Sequence, residues 1–490
     1  MSDSPAPAAR VTACEPNGML RGGGAGHDRR TGDKTRFRST RLVVSAVLSA
    51  LRMISHEVAA CPVDTPMLDS SSTRPKVRLD SSHMKHAVLL VENMSVPTDR
   101  RVWQQARTLV RSGLRVTVVC PQGIDRDTEP HVELDRITVH RYQPQFSSGG
   151  NVSYMREYGS ALWEMNRALR RLSSEDSIDV VHAANPPDVL LLAALQQRRR
   201  GTAFIFDQHD LVPEMYLSRF GRRFGIWRAT LAAEQLSYRL ADVVLVTNNS
   251  YRRMSIGRGR RDPEDVFVVR NAPDLQRFRP VDPDRSLNNG RKFLIGYVGL
   301  IGPDDGVDHS LQALAALRKR RSDWRAVFVG DGDALESMKV LASELRLDEH
   351  VEFTGFISGD RLITFLSTFD VCLAPNPRTP LNEISTMVKL LEYMAMARPI
   401  VAYDLTETRW TAGDAAAYSS DDEPASLAGA IDALLDDHER RVRMGTLGRS
   451  RIENELNWEQ SSKQLLKAYQ RALFVAAHRG ARSLRGRLLR

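Results

Sequence analysis

Five short runs in the first half of the chain are apolar at odd and even positions alike and end in polar residues: 87–93 (AVLLVEN), 114–121 (LRVTVVCP), 179–186 (DVVHAANP), 203–210 (AFIFDQHD) and 241–249 (ADVVLVTNN). Successive strand residues point to opposite faces, so a strand apolar on both faces needs cover on both, the condition of a parallel sheet flanked by helices. The stretch 102–113 (VWQQARTLVRSG), closed by Gly113, supplies a helix between the first two runs. The opening is therefore a βαβ unit, and an α/β doubly wound domain is expected over 85–276.

The segment 277–291 (RFRPVDPDRSLNNGR) is rich in Pro, Asp, Asn and Gly with little to bury, and reads as a linker. A second series of βα units follows over 292–455, from FLIGYVGLIGPDDGVD through RAVFVGDGD, HVEFTGFI, DVCLAPNP and PIVAYD to the helix ASLAGAIDALLDD. Residues 456–475 are expected to form a C-terminal helix crossing back to the first domain, and 476–490 a basic tail. Strand ends of such sheets meet ligands; in the first domain they present Asn93, His182, Asn185, His209, Asp210 and Thr247. His209 ends an apolar strand beside Asp210, where an imidazole could serve a substrate hydroxyl or a developing charge, or simply be structural. Arg100 and Arg101 open a helix, where cations suit an anionic ligand better than the helix itself, although solvation explains at least one of them. The aromatic helix expected over 151–173 reads as core or as an acceptor contact.

The stretch 379–403 (TPLNEISTMVKLLEYMAMARPIVAY) places a cation and a carboxylate on one helix before returning to a buried strand. Ser385 or Thr386 is the expected cap, with Leu390, Leu391, Met394 and Ala397 as the apolar face and Pro399 past the end. Lys389 and Glu392 are three apart and share a face. A first-turn lysine is repelled by the positive end of the helix dipole unless an anion such as a diphosphate binds there. The plainer alternative is a solvated lysine paired with Glu392. Gly299, Gly302 and Gly306 precede another helix and could bring bare amides to phosphate oxygens, but the loop lacks the GKS or GKT ending of an ATP-hydrolysing P-loop.

With 490 residues, 42% of them hydrophobic, the chain can bury two ordinary cores. Cys14, Cys61, Cys120 and Cys372 show no metal or disulfide spacing, which suits a reducing cytoplasm. Residues 1–84 lack a sustained helix or strand period, and are expected to be disordered or an artefact of the assigned start, with Met84 as an alternative initiator. The run 42–51 is too short to span a bilayer. After Glu459 there are eight Lys and Arg and no acid, interleaved with leucines: either a basic amphipathic segment on an anionic membrane face or a solvated tail, with no motif for nucleic acid.

The motifs in order (VPTDRRVWQQARTL, FDQHDLVPE, ADVVLVTNN, VVRNAPD, IGYVGLIGPDDGVD, VFVGDGD, VEFTGFI, MVKLLEYMAMARPIVAYD and ETRWTAGDAA) resemble the retaining GT4 glycosyltransferases of the GT-B fold that build bacterial surface polysaccharides, in a subgroup with a KxxEYMA helix. The resemblance covers roughly 85–475. It implies two Rossmann-like domains facing across a cleft, the second holding a nucleoside diphosphate sugar and the first a sugar or lipid-linked acceptor. Glu392 then matches the carboxylate that takes the ribose diol, an acceptor-only group suited to it. His209 matches the histidine facing the donor sugar, while Gly299 to Gly306 and the amides near Ser385 would cradle the diphosphate. Asn93, Arg100, Arg101 and Asp210 fall on the acceptor side.

Two departures stand out. The family's second glutamate, eight positions before Glu392, is replaced by Ile384, with Glu383 one residue out of register, and the glycine loop lacks its usual Arg and Lys. The phosphate cation is therefore assigned to Lys389, with Arg270 as a second candidate. The leaving diphosphate would be stabilised by these cations and helix amides, and the absence of a DxD arrangement at a strand end leads to the expectation of no metal or other cofactor. Retention of configuration is implied only by the resemblance. Alternatives are a sugar-nucleotide 2-epimerase and a non-catalytic sugar-nucleotide-binding scaffold. The expected location is cytoplasmic, on the inner face of the plasma membrane if the basic tail binds lipid.

Overall fold

The computed structural model describes residues 84–488 apart from 125, 146–150, 222 and 224. The expectations for 1–83 and for the end of the basic tail lie outside the described residues.

The first domain runs β1 (His86–Leu90), α1 (Arg100–Arg111), β2 (Arg115–Pro121), β3 (His131–Leu134), β4 (Ile137–Tyr142), α2 (Asn151–Glu175), β5 (Val180–Ala184), α3 (Leu191–Arg199), β6 (Ala203–Gln208), α4 (Val212–Phe220), α5 (Ile226–Leu240), β7 (Val243–Val246), α6 (Asn249–Gly257) and β8 (Val266–Val268). The second runs β9 (Phe293–Val298), α7 (Val307–Arg318), β10 (Trp324–Val329), α8 (Leu335–Glu344), β11 (Val351–Gly355), α9 (Gly359–Thr368), β12 (Val371–Ala374), α10 (Val388–Ala395), β13 (Ile400–Ala402), α11 (Thr406–Ala412), β14 (Ala416–Tyr418), α12 (Pro424–Asp436) and α13 (His438–Asn454). The last helix, α14 (Trp458–Leu488), packs against β6, β7 and β8 of the first sheet.

The first sheet has the order β3-β4-β2-β1-β5-β6-β7-β8 and the second β11-β10-β9-β12-β13-β14. All pairs are parallel except β3 with β4. The strands β1, β5, β6, β7 and β9 are buried along their whole length, which explains why they read as unbroken apolar runs. Each sheet carries a core on either face: Leu89, Val118 and Ile205 on one side of the first and Leu90, Phe204 and Phe206 on the other, then Ile295, Tyr297 and Phe328 against Leu294, Val298 and Phe369 in the second. Gly296 lets two layers close, since a Cβ there would lie 2.2 Å from the Phe369 ring.

Winding reverses between β1 and β5 in the first sheet and between β9 and β12 in the second. Crevices at the carboxyl ends of strands form at such reversals. The segment 277–291 is laid along α9, with the Val281 amide donating to Ser367 and the Asp284 amide to Thr368, both at 3.0 Å.

Candidate active site

Helix α10 starts later than its sequence suggests. Its N-cap is Met387, with no side-chain cap, because the Ser385 hydroxyl donates to Leu381 O (2.8 Å) and the Thr386 hydroxyl turns to Glu407 (3.4 Å). Ala397 is not on the helical face either: it follows the end in the left-handed region, with φ of 54°. Leu390, Leu391 and Met394 are buried as expected.

Lys389 is neither solvated nor paired with Glu392. It is 7% exposed, and its Nζ donates to Tyr297 Oη (2.9 Å), Asp305 Oδ1 (3.2 Å) and Asn376 Oδ1 (3.4 Å). Burial pulls the ammonium down from its usual range while Asp305 opposes that shift. Asn376 follows β12 and Gly299 follows β9, so the lysine tip sits at the winding reversal. A Cβ on Gly299 would lie 3.2 Å from Lys389 Cε, and its φ of +153° is open to glycine.

The three loop glycines do different things. Gly299 borders the cleft, but its amide donates to Val329 O (3.0 Å) and that of Gly302 to Asp305 Oδ2 (3.2 Å), so two of the amides expected for a diphosphate are already donated. Gly306, at φ of +74°, opens α7 where a Cβ would meet Pro375 O at 2.1 Å. Sequence reading passed over Gly330 and Gly332, whose GDG run after β10 was the available signal: a Cβ on Gly330 would be 1.8 Å from Gly299 O. Gly299, Gly330 and Gly332, together with Arg100, Leu300 and Glu392, line a cleft of about 740 Å³, whereas Gly302 and Gly306 do not.

Glu392 stands one turn beyond Lys389, 9% exposed, with Oε1 accepting from Arg100 Nη1 of the first domain at 3.2 Å. Burial raises its carboxyl above the ordinary range, opposed by Arg100 and then Arg277, a neighbour missed because it lies in the linker. Arg100 itself is exposed, so this pair adds little to stability.

On the facing domain, Asp99 caps α1 by accepting from the Val102 amide (3.0 Å). Arg101 is buried, its Nη2 and Nε 2.7 and 3.2 Å from the two oxygens of Asp207 and its Nη1 on Val269 O and Asn271. All three guanidinium nitrogens of this residue, expected on the acceptor side, are thus engaged within the first domain. Asp207 also accepts from Gln105 (2.7 Å), His182 (3.2 Å) and His209 Nε2 (3.0 Å). Burial opposes its ionisation, but Arg101 and His209 outweigh that and hold the carboxyl well below the usual range. Sequence reading missed this hub although its signal was plain, a carboxylate inside an apolar strand. Asn185 Oδ1 accepts from the amides of His209 (2.6 Å) and Asp210 (3.2 Å), fixing the turn after β6. The half-buried Asp210 carboxyl is raised by burial, and Asn93 is exposed beyond β1.

Arg270 and Ser385 lie elsewhere along the domain junction. The Arg270 guanidinium stacks 3.9 Å from the Trp410 ring, pushed down to about 10 by burial, with Nη1 undonated. Ser385 Oγ is 3.1 Å from Tyr251 Oη. Neither has a described contact with Lys389. Among the described residues no group of three or more His, Cys, Asp or Glu could hold a metal ion.

The arrangement thus offers a cation, a buried carboxylate and close-approach glycines on one wall, and an oriented imidazole on the other. Alpha-D-kanosaminyltransferase from Streptomyces kanamyceticus is 30% identical over 153 residues, which is 31% of this chain and only 38% of that protein. Glycogen synthase from Mycobacterium tuberculosis is 23% identical over 406 residues, 79% of this chain and 93% of its own. The crystal structure of Anabaena Alr3699/HepE in complex with UDP-glucose shares the fold, with a TM-score of 0.61 at 15% identity, over 79% of this chain and 100% of that one. Residues 98–272 match the model of the glycosyl transferase 4-like domain and residues 292–437 that of the glycosyl transferases group 1, together more than half of the sequence, and the chain accordingly belongs to the glycosyltransferases of GT-B fold.

Proposed function

We propose that the chain moves a sugar from a nucleoside diphosphate sugar, held by the second domain, to an acceptor hydroxyl on the first. The observation that carries this reading is the Lys389 ammonium lying against Gly299 at the β9/β12 reversal, with the Glu392 carboxylate one turn away. A buried lysine at a crevice answers an anion, and a buried carboxylate with only an exposed arginine on it can turn to a diol.

In this reading Lys389 exchanges Asp305 for the diphosphate and stabilises its charge as the glycosidic bond breaks. Arg270, with Nη1 undonated, is the second cation. Glu392 takes the ribose, and His209, oriented by Asp207, faces the reacting sugar while the acceptor hydroxyl attacks the oxocarbenium-like centre. The charge of the leaving group is met by protein cations, so the reaction is proposed to run without a metal, and with retention at the anomeric carbon. That the HepE structure holds UDP-glucose supports a nucleotide-sugar donor.

The acceptor is proposed to be lipid-linked or a growing polysaccharide of the cell envelope, reached at the cytoplasmic membrane face. In support, the sequence after Arg479 carries Arg482, Arg485, Arg487 and Arg490 and no acid, while Leu465 and Leu473 earlier in α14 pack with the first domain's core. Thermal unfolding with UDP-, GDP-, TDP- and ADP-sugars tests the donor site. Native-state binding at a hundred times Kd stabilises by about 2.7 kcal/mol. One nucleotide class is expected to raise Tm, and Glu392→Ala to abolish the rise; no rise with any of them at millimolar concentration sinks the reading.

A further inference from the structure

The last helix meets the first domain through an apolar face edged by part-buried polar contacts, Trp458 with Thr108, Arg471 with Asp265 and Arg479 with Asp242, and within that face lies a fully buried one. Tyr469 on α14 is 2% exposed, and its hydroxyl lies 2.9 Å from His182 Nδ1. His182 Nε2 is 3.2 Å from Asp207 Oδ2, the same oxygen that His209 Nε2 reaches at 3.0 Å. Four residues from α14, β5, β6 and the turn after β6 thus form a continuous polar chain.

The proton positions follow from the carboxylate. Arg101, in two-point contact, keeps Asp207 ionised, and an ionised carboxylate only accepts. Both imidazoles therefore donate from Nε2. Burial holds the enclosed His182 ring neutral, so its Nδ1 carries a lone pair and the Tyr469 O–H donates to it. His209, with Nε2–H turned inward, has Nδ1 left for a ligand.

We propose that Tyr469 is a positioning residue for His209: its O–H satisfies Nδ1 of His182, holding that ring in place against Asp207 and through Asp207 the orientation of the reacting-side imidazole. The proposal rests on the reading of His209 as the group facing the donor sugar. Without the Tyr469 O–H the buried Nδ1 lone pair of His182 is left unsatisfied, and the ring is expected to shift along its 3.2 Å contact with the Asp207 carboxylate. The same oxygen holds His209, so the displacement reaches it. The chain also has a route from the donor side: α14 follows α13, which packs on α10, the helix of Lys389 and Glu392. Seating of the C-terminal helix is in this way tied to the readiness of the imidazole across the cleft.

The test uses the full chain labelled with 15N-histidine and long-range 15N–1H correlation to read side-chain tautomers, beside transfer kinetics. In the native protein His182 and His209 are both expected as Nε2–H; an Nδ1–H tautomer on His182 overturns the proposal before any variant is made. In Tyr469→Phe, His182 is expected to keep Nε2–H, which Asp207 still requires, while its Nδ1 signal and the His209 signals shift. The kcat is expected to fall roughly tenfold, as for a buried hydrogen bond left unmade, with KM for the donor and the nucleotide-induced rise in Tm unchanged. A Tyr469→Phe protein with native His209 signals and native kcat overturns the proposal. The tautomers are read without turnover, so a failure of the transferase reading and a failure of this chain of contacts are seen separately.

Discussion

Two arginines in succession open α1, and each is answered by a carboxylate from far along the chain: Arg100 by Glu392, 292 positions away, and Arg101 by Asp207, 106 away. The unease of cations at a helix start was legible from the local sequence, but which carboxylate relieves it depends on tertiary packing alone. The same holds for Lys389, whose partner Asp305 is 84 residues distant. Asp207 is the most demanding of these groups because it is fully enclosed. Asp207→Asn is expected to cost about 3–5 kcal/mol at pH 7, measured by urea denaturation, since it leaves the Arg101 guanidinium buried without its counter-charge. The native carboxyl is depressed, so its stabilisation is fully present above the unfolded value of about 3.9 and is lost as pH falls from there toward the native value. The gap between the two proteins should therefore narrow on acidification below about pH 4, and a gap that widened would contradict the sign.

Among the elements, the buried parallel strands were readable because full burial demands unbroken apolar runs, and α1 because Val102, Ala106, Leu109 and Val110 recur at helical spacing. Helix α13 (HERRVRMGTLGRSRIEN) escaped for the opposite reason. Its buried face is Met444, Gly445, Gly448 and Ile452, and glycines leave no mark on an apolar period. They are there because α10 comes too close for side chains: a Cβ on Gly445 would lie 2.2 Å from Ala397 O, and one on Gly448 3.2 Å from Met394. Gly445→Ala is expected to destabilise by about 1–3 kcal/mol through overpacking against backbone. Because α10 carries Lys389 and Glu392, nucleotide-sugar affinity measured by titration calorimetry should fall with it. A variant of native stability and affinity would show that the helices have room to part.

At the scale of the whole molecule, Glu407 of α11 holds several of the contacts that join the two domains. Its Oε1 accepts from the Ser250 hydroxyl (2.5 Å) and amide (3.1 Å) of α6, while Thr386 bridges its Oε2 to Asn248 (3.4 and 3.1 Å). Ser218 adds a bond to Asp304 (3.0 Å) nearer the glycine loop. Glu407→Ala is expected to enlarge the radius of gyration in X-ray scattering and to raise the donor KM roughly tenfold, since a charged buried acceptor is lost from the junction. An unchanged scattering profile would place the hinge elsewhere.

The passage of α14 back to the first sheet bears on how the protein is made. Leu465, Ala468, Tyr469, Ala472 and Ala476 belong to the same core as Leu89, Val116 and Leu245. A ribosome that has released β8 must still add about 200 residues, most of them the second domain, before that core can close. At about 5–20 residues per second this is roughly 10–40 s in which one face of the nascent sheet stands open. The first domain to leave the exit tunnel is therefore the last to be finished, and its apolar face is a natural client for chaperones during synthesis.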